Sequence, residues 1–114
     1  MIRNGGLVSY ELKGETLVVH IGGEIDHHSA VSVRTGIDDK IRELQPKRVL
    51  LELSGVDFMD SSGLGLIMGR YALIKQYGGT LAVLDPAPPV LKIVKLAGME
   101  RMVSILRTKQ KTEG

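Results

Sequence analysis

Two adjacent serines, Ser61 and Ser62, stand between Asp60 and the run Gly63-Leu64-Gly65, just ahead of a segment with helical spacing. A hydroxyl at a helix start can accept a bond from a free backbone amide as an N-cap, or it can stay free to react. One serine suffices for the cap, which leaves the other available. The unpaired amides and the positive end of the helix dipole favour an anion by roughly 0.3 to 2 kcal/mol, so a phosphoryl group on Ser61 is acceptable there. Asp60 opposes it as a neighbouring like charge. Phosphorylation is therefore expected to alter the surface more than the fold.

Other chemistries fit less well. Ser61, one of His20, His27 or His28, and Asp26 or Asp60 supply the residue types of a hydrolytic triad, but the Gly-x-Ser-x-Gly elbow is absent. Asp26-His27-His28 suggests a metal only superficially, because adjacent residues on a helix point in different directions. Gly63-Leu64-Gly65 lacks the Gly-Lys-Ser/Thr ending of a phosphate loop, and no full dinucleotide fingerprint follows the first strand. No catalytic residues, metal or cofactor are expected.

Composition narrows the class. A chain of 114 residues with 43% hydrophobic content suits one domain with one core, spanning 1–114 with loose ends at 1–6 and 107–114. No apolar run approaches the roughly 20 residues that cross a bilayer, and Met1 to Gly6 has no signal-like apolar core. A soluble cytoplasmic protein without membrane attachment is the expectation. Zero cysteines removes disulfides, thiol catalysis and cysteine-based metal sites. A net charge of +2 and 4% aromatics give direct nucleic-acid binding little to work with.

The elements that must position the serines follow from periodicity. Leu7 to Leu12 alternates, Lys13-Gly14-Glu15 turns, and Thr16 to Ile21 reads as a buried strand hairpinned to the first, with His20 inside it and Gly22-Gly23 ending it. From Asp26, a candidate N-cap, the residues Ala30, Val33, Ile37, Ile41 and Leu44 recur at helical steps until Pro46. Arg48 to Leu53 is a strand apolar enough for the interior of a parallel sheet. After the serine helix come a strand at Thr80 to Leu84, a Pro86–Pro89 loop, a helix from Val90 to Ala97 closed by Gly98, and a last short strand from Arg101 to Leu106. Alternating strands and helices with short connections predict an α/β fold. Its sheet is mostly parallel with an antiparallel N-terminal edge strand, and its helices stack in successive β-α turns.

The serine helix, read from Gly63 to Tyr77, is apolar nearly all round. At 100° per residue, Leu64, Ile67, Met68, Tyr71 and Ile74 share the expected core face. Opposite lie Gly65, Gly69, Ala72 and Gln76, with Leu66 and Leu73 alongside. Such an uncharged outer face is expected to be covered by a partner. The alternative is that Gly65 and Gly69 let another element of the same chain pack closely.

Three stretches together carry a family resemblance. Gly23-Glu24-Ile25-Asp26-His27-His28-Ser29, Phe58-Met59-Asp60-Ser61-Ser62-Gly63-Leu64-Gly65, and Gly69-Arg70-Tyr71 with Ile74-Lys75-Gln76 and Gly78-Gly79 resemble the anti-sigma factor antagonists built on the STAS domain. Among these, the sporulation antagonists of spore-forming bacteria are the most similar. The resemblance implies that Ser61, the first serine of Asp-Ser-Ser-Gly, is a regulatory phosphorylation site. The implied partner is a dimeric anti-sigma factor, ATP- or ADP-bound, that is also a serine kinase. Unmodified antagonist binds it and frees the sigma factor, phosphorylated antagonist does not, and a metal-dependent serine phosphatase resets the switch. Asp26 belongs to the implied functional surface, either in contact with the partner or as a helix cap. Taken with the outer face of the serine helix, the expected partner-binding set is Asp26, Asp60, Ser62, Gly63, Gly65, Leu66, Gly69 and Leu73. The alternative is a STAS module in a stress-response partner-switching complex with a different kinase.

Overall fold

Strand alternation sorts the apolar side chains into one layer. Leu17, Val19 and Ile21, then Val49, Leu51 and Leu53, then Leu81 and Val83 all join one buried cluster, while the alternate residues Val18 and Ala82 are buried outside it. The computed structural model describes residues 7–108. Their elements are β1 (Leu7–Lys13), β2 (Thr16–Ile25), α1 (His27–Leu44), β3 (Arg48–Met59), α2 (Ser61–Gln76), β4 (Thr80–Leu84), α3 (Pro88–Leu96), a 3-10 turn (Met99–Arg101) and β5 (Ser104–Leu106). The five strands form one sheet in the order β1-β2-β3-β4-β5, with β1 antiparallel to β2 and every other pair parallel. Each parallel crossover steps one strand in the same direction, so connections of one hand put the three helices on one face. That face holds Val33, Ile37 and Ile41 of α1, Leu66, Ile67 and Ile74 of α2, and Val90 and Val94 of α3.

Two strands run further than their sequence suggests. The glycine pair does not end β2, which continues through Gly22 and Gly23 to Ile25, and β3 continues past Leu53 to Met59. Gly22 pairs with Gly55 across the sheet, and a Cβ there would make only an ordinary 3.4 Å contact with the Gly55 carbonyl oxygen, so the strand runs on through this glycine. Over the shared span β3 uses 12 residues against 10 in β2, and the register shifts twice, between His20 and Gly22 and between Gly23 and Glu24. These bulges bring Ile25 and Met59 into register, so the two strands end together.

The C-terminal end also differs from expectation. The last strand spans only Ser104–Leu106, because Met99–Arg101 forms a 3-10 turn after Gly98 adopts φ +71°. Beyond it the chain is held as far as Thr108, whose backbone N–H donates to Asp85 Oδ1 at 2.7 Å and whose hydroxyl also bonds Asp85. Of the expected loose ends at 1–6 and 107–114, the first and all of the second after Thr108 lie outside the described residues.

The helix-free face of the sheet carries a charged clamp. Instead of being buried in its strand, His20 has a side chain 40% exposed, with Nδ1 3.0 Å from Glu52 Oε1 and Nε2 3.1 Å from Glu11 Oε1. These hydrogen bonds, Glu52's first, raise its pKa against the opposing pull of burial. The His20 bond is the leading cause of a lowered pKa at Glu11. Burial raises Glu52, but bonds from Ser54 and His20 together outweigh it and leave its pKa lowered. A raised histidine contributes stability that is complete below about pH 6.5 and is lost as pH climbs through its folded-state value. Depressed glutamates contribute above about pH 4.3 and lose that contribution as pH falls through their folded-state values. The clamp is therefore expected to be strongest between these limits. Urea unfolding of His20→Gln should show a smaller fall in stability from pH 6 to pH 8 than the wild type, and an equal fall would exclude the clamp as its source.

Candidate functional site

The site is made where β2 and β3 end side by side. Each strand passes directly into an aspartate that caps a helix, and the caps are tied together because the Asp60 N–H donates to the Ile25 carbonyl at 3.2 Å. Asp26 opens α1 with a reciprocal capping box. Its Oδ1 accepts from the Ser29 N–H at 2.9 Å, and the Ser29 hydroxyl oxygen accepts from the Asp26 N–H at 3.1 Å. The bond from the Ser29 backbone is the leading cause that holds the Asp26 carboxyl below its ordinary pKa. The capping role expected of Asp26 is thus present in the structure.

At α2 the cap is not a serine. The Asp60 side chain accepts from the Ser62 N–H at 2.8 Å, and the Gly63 N–H donates to the Asp60 carbonyl at 2.9 Å, so the helix begins at Ser61 rather than at Gly63. Neither hydroxyl is needed for capping. Ser61 is exposed, whereas Ser62 is half-buried and lines a cavity of about 260 Å³ between the helices, with His27, Ala30, Val31 and Arg34 of α1 and Gly65 and Leu66 of α2. Gly63 is buried directly over Met59, and a Cβ there would come within 2.0 Å of Met59 Cγ. Asp60→Ala is expected to cost about 1 kcal/mol by freeing the Ser62 N–H, read as a lower urea midpoint with unchanged slope. A loss under a few tenths would mean that Ser62 or water takes over the cap.

The rotation of α2 about its axis departs from the periodicity reading. Its buried residues are Gly63, Leu66, Ile67, Arg70 and Ile74, whereas Leu64, Met68 and Tyr71 are only partly buried. Leu66, expected on the outer face, is a core residue at 4% exposure, and Leu73 is half-buried. The outer face holds Ser61, Gly65 and Ala72, flanked by Met68 and Gly69. A Cβ on Gly65 or Gly69 would meet nothing within 4 Å, so close packing inside the chain does not explain these glycines. The partner-binding set therefore divides by depth: Gly65 is exposed, Asp26, Asp60, Ser62, Gly69 and Leu73 are half-buried, and Gly63 and Leu66 lie beneath the surface.

Two features escaped the sequence reading. Phe58, the only phenylalanine in the chain, is 49% exposed three residues before Ser61, where a strand end would ordinarily bury it. Arg70 is 6% exposed, with Nε 2.7 Å from Asp38 Oδ1 of α1 and with Nη1 donating to the Leu66 carbonyl at 3.2 Å. Its signal was present in the sequence: Arg70 is the one charged residue between Ser61 and Ile74.

Comparison with known proteins fits this geometry. Residues 8–112 match the STAS domain. An anti-sigma F factor antagonist of Paenibacillus polymyxa is 44% identical over 89 residues, which is 78% of this chain and 76% of the relative. The solved structure of the anti-sigma factor antagonist SpoIIAA in its unphosphorylated form superposes with a TM-score of 0.78 at 28% identity, covering 91% of this chain and 90% of that one. SpoIIAA of Bacillus in its phosphorylated form gives a TM-score of 0.72 at 27% identity, covering 91% and 93%.

Proposed function

Because the chain belongs to the STAS domain family, among its anti-sigma factor antagonists, we propose that it is a phosphorylation-switched antagonist whose switch is Ser61. The observation that carries this reading is the exposed position of Ser61 at the first turn of α2, with Asp60 doing the capping and the hydroxyl left in solvent. That a related chain of the same fold has been solved in both unphosphorylated and phosphorylated forms supports it. The partner is an anti-sigma factor that also acts as an ATP-dependent serine kinase, and binding of the unmodified chain releases the sporulation sigma factor. A metal-dependent serine phosphatase restores Ser61. The chain is a binding module of the cytoplasm and catalyses nothing itself.

Docking covers Ser61, Gly65, Gly69 and Ala72, a helix face without a charged residue, with Met68 at its margin. A phosphoryl group adds about two negative charges and a tightly held hydration shell to that surface. The helix start accepts the anion, so the fold stays and the association is lost. Incubation with the kinase and ATP should add one phosphoryl group to the wild type and to Ser62→Ala but none to Ser61→Ala. Loss of the label in Ser62→Ala alone would move the switch to Ser62.

A further inference from the structure

The apolar residues of α2 do not by themselves decide which way the helix faces. Its observed core face is centred on Leu66, Ile67, Arg70 and Ile74, whereas Leu64, Ile67, Met68, Tyr71 and Ile74 offer a second apolar face rotated by about 80° at 100° per residue. On hydrophobic burial alone the second face is the better one, since it contains no charge. The observed rotation instead takes a guanidinium into the seam between α1 and α2, where the Arg70 side chain is 7% exposed and that of Asp38 is 17% exposed. Taking two charges out of water is costly, and a well-packed apolar pair of similar volume is often as stable or more so. A buried pair of this kind contributes through what it permits: Arg70 meets Asp38 in one rotation only.

Ser61 and Arg70 are nine positions apart, about 900° around the helix, and so lie on opposite sides of it. Burying Arg70 turns Ser61 to solvent. In the alternative rotation Ser61 would swing toward the flank of the helix, and Leu66 would come out. We infer that the Arg70–Asp38 pair is the register lock of α2, choosing the rotation that presents Ser61, and that Arg70 is a positioning residue for the switch. The assigned rotation stands on geometry alone, and its consequence for Ser61 rests on the function proposed above. The contacts agree with a lock. Arg70 Nε lies 2.7 Å from Asp38 Oδ1 as an ion-pair contact outside hydrogen-bond geometry, Nη2 donates to Asp38 Oδ2 at 3.4 Å, and Nη1 anchors to its own helix at the Leu66 carbonyl. Toward the serine end the helices part to leave the cavity lined by Arg34 and Ser62, so the pair is their polar tie below that gap.

The natural absence of cysteine allows single thiols to report the rotation. Three probes would be placed in separate proteins: Ser61→Cys on the outer face, Leu66→Cys on the inner face, and Ile37→Cys in the core of α1. With the pair intact, a small thiol reagent should label position 61 fast and positions 66 and 37 slowly. In the apolar-pair background Arg70→Met/Asp38→Leu, labelling at position 66 should rise at least about tenfold while position 37 stays protected, which separates rotation from unfolding. Should that background not fold, Asp38→Asn removes the carboxylate charge at nearly constant volume, leaving the guanidinium without its counter-ion, and is read the same way. Unchanged protection at position 66 in a folded variant overturns the lock, as does parallel loss of protection at positions 66 and 37. The swapped pair Asp38→Arg/Arg70→Asp should restore the wild-type pattern. In kinase assays on the cysteine-free chain, the lock predicts a raised KM for the unlocked protein with a smaller change in kcat. If the thiol pattern shifts as expected but the kinase never modifies Ser61 even in the wild type, the lock stands and the reading of Ser61 falls.

Discussion

Phosphorylation of Ser61 is expected to weaken binding to the anti-sigma factor several hundred-fold, Ser61→Asp about ten- to thirtyfold, and Ser61→Ala only marginally. The ordering follows from charge and hydration. A docked partner must strip water from whatever occupies position 61, and leaving an anion unpaired in a closed interface costs roughly 3 to 4 kcal/mol for a phosphoryl dianion, with tenfold in affinity per 1.4 kcal/mol. Aspartate brings one charge on a shorter arm, so about half that cost. Alanine removes a hydroxyl that the helix does not use, because the Asp60 carboxylate already serves the Ser62 N–H. Calorimetric titration of each form into the ADP-bound kinase, which cannot transfer phosphate, would give the three affinities. Equal affinities for phosphorylated and unmodified chain would end the switch proposal, whereas a large loss in Ser61→Ala would show the hydroxyl to be a contact in its own right.

The elements that were legible are those in which sequence and tertiary packing want the same thing. In α1, Val33, Ile37 and Ile41 repeat on one stripe with polar residues opposite, and the cap is local, so Asp26 as N-cap followed from the chain alone. The antiparallel hairpin was legible for the same reason, since Gly14 at φ +62° supplies the turn backbone between two alternating runs. Strand ends were not, because whether Gly22 stops a strand depends on Gly55 lying across from it, a contact that no local pattern encodes. Rotation of α2 failed for a deeper reason: a helix apolar on most sides has no preferred inward face until its neighbours are known. Counting hydrophobic residues chose Met68 and Tyr71 over Arg70, and the partner that reverses the choice, Asp38, lies 32 positions earlier in the chain. His20 shows the same limit. Its strand was legible, but the two glutamates that make it a bridge come from the strands on either side.

That rotation makes a sharp contrast between two glutamate substitutions on α2. Leu66→Glu is expected to unfold the domain at 37 °C, and Ala72→Glu is expected to leave its stability within about 0.5 kcal/mol while impairing docking. Leu66 is 4% exposed within the main core cluster, so the change forfeits its burial, about 2 to 5 kcal/mol for loss of a core leucine, and adds a carboxylate with no designated partner. Arg70 donates to the Leu66 backbone carbonyl but is committed to Asp38, and drawing it toward a new glutamate would break the pair between the helices. With a few kcal/mol more for the unpaired carboxylate, the sum reaches the lower part of the roughly 5 to 15 kcal/mol that small domains possess in total. Ala72 lies six residues along but faces solvent, where a glutamate side chain meets no such cost and instead sets a negative charge on the face shared with Ser61 and Gly65. Circular dichroism melts decide the structural half of the contrast and kinase titration the functional half. A folded Leu66→Glu protein with a near-native melt would mean that α2 can turn to expose position 66 at little cost, and the orientation of Ser61 would then no longer be fixed by the fold.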